Sequence, residues 1–174
     1  ARGGGGGGEA GHGGKRRIVA GLRDRSLWPI PGLILGVSAG LQVSVNARVP
    51  DLLAVPAWRR VVSYEPGLEQ VDFGTLLSAL DWLIIGGESG GRARRFDLTW
   101  AQRLSEACQR ERVAYFFKQA GRRPFIGGAE LPRLEDSHGG DLDELRRGIA
   151  ALDSLDPWEP VLRREYPSLQ LEAA

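Results

Sequence analysis

"DWLIIGGESGG", residues 81–91, decides the fold. Four bulky apolar residues, Trp82 to Ile85, end abruptly in Gly86 and Gly87, followed by a carboxylate, a hydroxyl and two more glycines. An apolar run of this length, bounded by glycine and charge, reads as a buried strand. Three other stretches follow the same plan: "LILGVSA" (33–39), "RRVVSYEP" (59–66) and "VAYFFKQ" (113–119).

Helical patterns lie between these runs. In "DLTWAQRLSEACQRER" (97–112), Trp100, Leu104 and Cys108 recur every four residues beside Leu98 and Ala101, giving one apolar stripe, and Asp97 precedes it as an N-cap. "VPDLLAVPAW" predicts a short helix starting near Pro50 and stopped by Pro56, and "FGTLLSAL" (73–80) predicts another. Alternation of apolar strands with helices argues for an α/β fold with a parallel sheet. Over residues 30–121 the expected architecture is a set of parallel βα units, either half of a TIM-like barrel or a small open sheet.

The flanks differ in character. Residues 1–14 contain nine glycines and no large apolar side chain, so ordering them would cost entropy with nothing buried in return. Together with the following Lys-Arg-Arg, segment 1–17 is expected to be disordered, Gly-rich and basic. Residues 122–174 read as loop followed by a C-terminal helix, with Leu142, Leu145, Ile149 and Leu152 sharing a face.

Composition narrows the function classes. The chain has 174 residues, 42% hydrophobic and 26% charged, which suits one globular domain. The formal net charge is +1, so the overall field gives no general reason to expect nucleic acid, although a local basic patch stays open. A single cysteine, Cys108, assembles neither a disulfide nor a thiolate cluster, and His12 and His138 read as solvated loop residues rather than metal ligands. No apolar run approaches the roughly 20 residues that span a bilayer, so a cytoplasmic protein without membrane contact is expected. The chain begins with alanine and has no methionine, so a fragment or a processed chain is expected.

In parallel α/β folds the ligand sits at the carboxyl ends of the strands. Reading off those ends gives Ser38, Glu65, the group Gly86, Gly87, Glu88 and Ser89, and then Lys118 with Gln119. Two readings of the glycines stay open. They admit a ligand close to the backbone, or they make an ordinary strand-to-helix turn in which Glu88 pairs with Arg92 or Arg94 at the surface. Lys118, one of only two lysines, is a candidate to hold a phosphate or carboxylate, or to pair with Glu88. Glu65, Glu88 and Lys118 are the candidates for acid–base catalysis.

"LGVSAGLQ" (35–42), "RVPDLLAVPA" (48–57), "VVSYEPGLEQVDF" (61–73), "DWLIIGGESGGRAR" (81–94) and "VAYFFKQAG" (113–121) together resemble the C-terminal half of the phage Gp-thirty-seven/Gp-sixty-eight family, a domain of unknown function. Ser38, Glu65, Gly86, Gly87, Glu88, Ser89, Arg94, Lys118 and Gln119 stand where that pattern has the same residue types. The pattern's glutamate and asparagine are replaced here by Gly40 and Leu41, and its tryptophan after the lysine–glutamine pair by Ala120. The resemblance implies a barrel-like fold whose intact members carry a three-cysteine motif, an iron–sulfur cluster and S-adenosylmethionine. This chain would then be the substrate-facing half, without the cluster-binding half and inactive alone. Two other readings are a non-catalytic module binding nucleic acid or nucleotide phosphates through Arg92, Arg94, Arg95 and Lys118, and a degraded gene product.

Overall fold

The computed structural model of the chain describes residues 28–132 and 134–168. The segment 1–17 expected to be disordered lies outside the described residues.

All four apolar runs are strands: β1 (Ile34–Ser38), β2 (Arg59–Tyr64), β3 (Trp82–Gly86) and, after the two-residue strand β4 (Phe96–Asp97), β5 (Ala114–Gln119). They form one sheet in the order β1-β2-β3-β5, with every neighbouring pair parallel. Among the described residues it is an open sheet, not a closed barrel.

The register separates two faces. Val62, Leu83 and Tyr115 align across one face, and Tyr64, Ile85 and Phe117 align one step further on; all six are fully buried. Helices α1 (Gln42–Leu53) and α2 (Leu98–Glu111) pack here, contributing Val45, Val49, Leu98, Ala101, Leu104 and Cys108 to the same core. Burying each large side chain stabilises the fold by about 1.5–3 kcal/mol, so this face carries most of the hydrophobic driving force. The Tyr115 hydroxyl is satisfied there by donating to the Val161 carbonyl at 3.0 Å. The opposite face carries Gly36, Ser38, Val61, Ser63, Ile84 and Phe116, each exposed or half-buried.

α2 follows its sequence pattern, including the cap: Asp97 Oδ1 accepts from the Thr99 amide at 3.0 Å and its hydroxyl at 2.8 Å. α1 does not follow its pattern. It starts at Gln42, eight residues ahead of Pro50, and Pro50 lies inside its last turn. Its N-cap residue, Leu41, offers no side-chain bond; a distant loop holds its start instead, Glu69 Oε1 accepting from the Gln42 amide at 2.6 Å while the Gln42 side chain donates to the Asp72 carbonyl at 2.9 Å and accepts from the Asp72 amide at 2.7 Å. That long-range anchor replaces the local signal on which the expectation rested. "FGTLLSAL" forms a 3₁₀ segment, Gly74–Ala79, burying only Leu77.

The loop-like stretch after Gly121 holds two short strands, β6 (Pro124–Ile126) and β7 (Ala129–Glu130). β6 pairs parallel to β4 and antiparallel to β7 across a turn in which Gly127 and Gly128 both take positive φ, making a second, three-stranded sheet. The C-terminal helix α3 (Leu142–Ala150) is capped by Asp141 and buries Leu145 and Ile149, but it stops before Leu152, which is exposed. Beyond it the chain returns to the free edge of β5, where the Phe117 amide donates to Arg163 and the Glu165 amide to Tyr115, covering an edge that would otherwise be open to another chain. No helix among the described residues is long and apolar enough to cross a membrane.

Candidate functional site

Because the four strands are parallel, Ser38, Glu65, Gly86 and Gln119 all emerge at one edge of the sheet. The detailed arrangement depends on a bulge. Ile85 lies opposite Phe117, but Gly86 lies opposite Gln119, so Lys118 is an extra residue with no partner on β3. A bulge at a sheet rim re-aims a side chain. Here Lys118 Nζ donates to Glu65 Oε1 at 2.6 Å, in an ion pair whose lysine side chain is half exposed and whose glutamate is largely covered.

β2 and β5 are not neighbours; β3 lies between them, so the pair spans about 10 Å of sheet. It crosses directly over Gly86. A Cβ added there would lie 3.1 Å from Glu65 Cγ and 3.2 Å from its carboxyl carbon, tighter than ordinary packing. Gly86 therefore supplies the clearance in which the carboxylate rests.

Gly87 is a glycine for a different reason. Its Cβ position lies 2.7 Å from the Ala120 carbonyl carbon, closer still to its oxygen, and 2.9 Å from Phe96 Cβ. The strand passes flush against the chain leaving β5. Gln119 locks this contact from both sides, since the Gly87 amide donates to its carbonyl and its side-chain amide donates to the Gly87 carbonyl, each at 3.0 Å. So one glycine of the pair makes room for the Glu65 carboxylate, and the other makes a close backbone approach.

Glu88 sits on the same rim but does not meet Lys118. Arg94 grips it through Nε at 2.9 Å, Nη2 at 2.8 Å and its backbone amide at 2.8 Å. These bonds, the side-chain ones foremost, pull the carboxyl down to about 2, so it is ionised throughout the physiological range. Of the two surface pairings read from the sequence, the Arg94 one forms. Ser89 is exposed in the loop beyond. Ser38 is exposed at the end of β1, on the face that carries Ser63, and its carbonyl accepts from Arg48 Nη1 at 2.6 Å.

Two contributions to the rim had no local signal. Arg164 donates to the carbonyls of Phe117 and Lys118 at 2.9 and 3.0 Å and to Gly140 at 3.1 Å, so it clamps the bulge from 46 residues away. At Gly40 an added Cβ would collide with the Pro66 carbonyl oxygen, so the position that the resembled pattern fills with glutamate holds no side chain in this backbone. Among the described residues no group of three or more His, Cys, Asp and Glu side chains could hold a metal ion. Cys108 is buried beside the opposite, amino edge of the sheet, and burial pushes its thiol up to about 12.

The sequence profile of the family described as "Protein of unknown function (DUF5131)" matches residues 9–144. The chain belongs to that family. No match was found among curated proteins or among solved structures. The resemblance read from the sequence is thus borne out as far as a domain of unknown function; the match carries nothing on phage origin or radical chemistry.

Proposed function

We propose that this member of the family is the substrate-facing half of a barrel-type catalytic protein, and that it binds an anionic substrate group at the Glu65–Lys118 pair. The single observation that carries this reading is the bulge that lifts Lys118 out of register and sets it, half exposed, over Gly86 against Glu65. Nothing in a simple turn requires that device. The strand order supports the barrel part: it runs in one direction without reversal, and α1 and α2 both pack on one face, as in a sector of a barrel.

The roles divide by chemistry. Lys118 is the cation that receives a substrate carboxylate or phosphate, and Glu65 is the carboxylate it leaves, free to act on a nearby proton. Glu88 stays ionised and bound to Arg94, so it serves as a strut holding the loop rather than as a proton donor. Ser38, Ser89 and the Gln119-locked Gly86–Gly87 turn border the same rim.

The radical-SAM reading rests on the resemblance to the phage family alone. A thiolate-held iron–sulfur cluster takes three or four cysteines, and this chain has one, buried away from the rim, so its own residues do not fit such a cluster. In this reading the cluster and S-adenosylmethionine belong to a separate cysteine-bearing half, and no step here runs through them.

The test is titration of the isotope-labelled chain with inorganic phosphate and with citrate, followed by amide NMR. The expected result is saturable shifts concentrated at Gly86–Glu88 and Lys118–Ala120, abolished in Lys118→Ala and altered in Glu65→Gln. Shifts that are absent there, or unchanged in Lys118→Ala, would sink the proposal.

A further inference from the structure

Both cations that flank the rim glycines, Lys118 and Arg94, are already paired, but the neighbouring small sheet brings up others. A cavity of about 400 Å³ lies between the Gly91–Ala93 loop and the start of β6, lined by Gly91, Ala93, Arg122, Arg123 and Glu130. Arg122 is half-buried in its wall, and among the described residues its guanidinium has neither a hydrogen bond nor an ion-pair partner. Its backbone amide is fixed, donating to the Glu88 carbonyl at 2.9 Å, so the side chain leaves from a rigid point.

Arg123 lies next to it and pairs with Glu130 at 3.2 Å, both side chains being about half exposed. An ion pair this exposed contributes little and exchanges partners readily. Arg123 and Arg95 both lie on the Phe125 ring, at 5.7 and 4.8 Å from its centroid, so Arg95, itself outside the groove lining, shares a ring with the groove's Arg123. Open space at the Gly91 Cβ position lets a ligand come up against the loop backbone. Counting charge, Arg92, Arg94, Arg95, Arg122 and Arg123 face Glu88, Asp97 and Glu130, each of those acids being paired with one of them. Arg92 and Arg122 are left over on a chain whose whole net charge is only +1.

We propose that this groove seats a phosphate group, with Arg122 as its primary contact and Arg123 turning from Glu130 to make the second. A guanidinium fork matches phosphate geometry with two parallel hydrogen bonds, which a carboxylate-lined or apolar cleft does not provide. The phosphate belongs either to a free nucleotide or to the backbone of a nucleic-acid strand running along the arginine wall. The inference does not depend on the Lys118 site, since none of the groove residues touches it.

The experiment is fluorescence anisotropy of a short labelled single-stranded oligonucleotide with the full chain, from about 50 to 200 mM salt. Binding should weaken linearly on a logarithmic salt scale, and Arg122→Ala should lower affinity about fivefold and reduce the slope by about 0.7. Glu130→Gln, which releases Arg123, should tighten binding about two- to threefold. Arg110→Ala, on the exposed face of α2, is the control for general electrostatics. Competition separates the two sources: displacement by a mononucleotide at matching phosphate concentration identifies a single phosphate compound as the ligand, and resistance to it identifies the strand. If Arg122→Ala and Arg110→Ala weaken binding alike, or if neither strand, mononucleotide nor inorganic phosphate binds, the groove is not a phosphate site. Far-ultraviolet circular dichroism on each variant confirms that the comparison is between folded chains.

Discussion

Gly87→Ala tests the claim that the two central glycines do different work. The added methyl would lie 2.7 Å from the Ala120 carbonyl carbon and 2.9 Å from Phe96 Cβ, where ordinary contact begins near 3.4 Å. The nearest obstacle is backbone, which cannot swing aside as a side-chain tip can. Overpacking of this kind costs about 1–3 kcal/mol. Moving Gly87 away also strains its two hydrogen bonds with Gln119, worth about 1 kcal/mol each. Against this, an alanine lowers the entropy of the unfolded chain and returns about 0.4–1 kcal/mol. The net loss expected is about 2–4 kcal/mol, which at a urea slope of about 2 kcal/mol/M moves the midpoint down by about 1–2 M. Urea unfolding followed by circular dichroism measures it, with Gly91→Ala as the reference because nothing lies within 4 Å of its added methyl. A Gly87→Ala midpoint that matched that of Gly91→Ala would refute the packing argument.

The Glu88 carboxyl is held at about 2 by Arg94, against an ordinary 4.5, so its ion pair stabilises the loop fully above the ordinary value and is lost as pH falls from about 4.5 through about 2; in Arg94→Ala, carboxyl NMR should show the midpoint return toward 4.5. Asp97→Ala removes the cap of α2 together with the bond from the Gly127 amide at 3.2 Å that ties the small sheet to it, so thermal unfolding should show a loss of about 2–3 kcal/mol, with Asp97→Asn recovering part of it.

The amino-acid sequence by itself determined the four strands, α2 with its Asp97 cap, and the sheet edge at which Glu65, Gly86, Lys118 and Gln119 emerge. These features are legible because they depend on local periodicity and on one topological rule, that parallel strands end at the same edge. Only the tertiary structure decided which carboxylate Lys118 reaches. Glu88 stands beside the glycines, yet the partner is Glu65, 53 residues from the lysine and one strand further across, because a bulge turns Lys118 and Gly86 leaves the path clear. The start of α1 at Gln42, the Arg164 clamp on the bulge and the meeting of Arg95 and Arg123 on Phe125 belong to the same class. Each is fixed by contacts between segments distant in the chain, and the residue types at those positions are equally suited to an ordinary solvated surface. Spacing along a chain encodes which face and which edge a side chain occupies; the distance across the sheet that it then bridges is set by register, and register is a property of the packed fold.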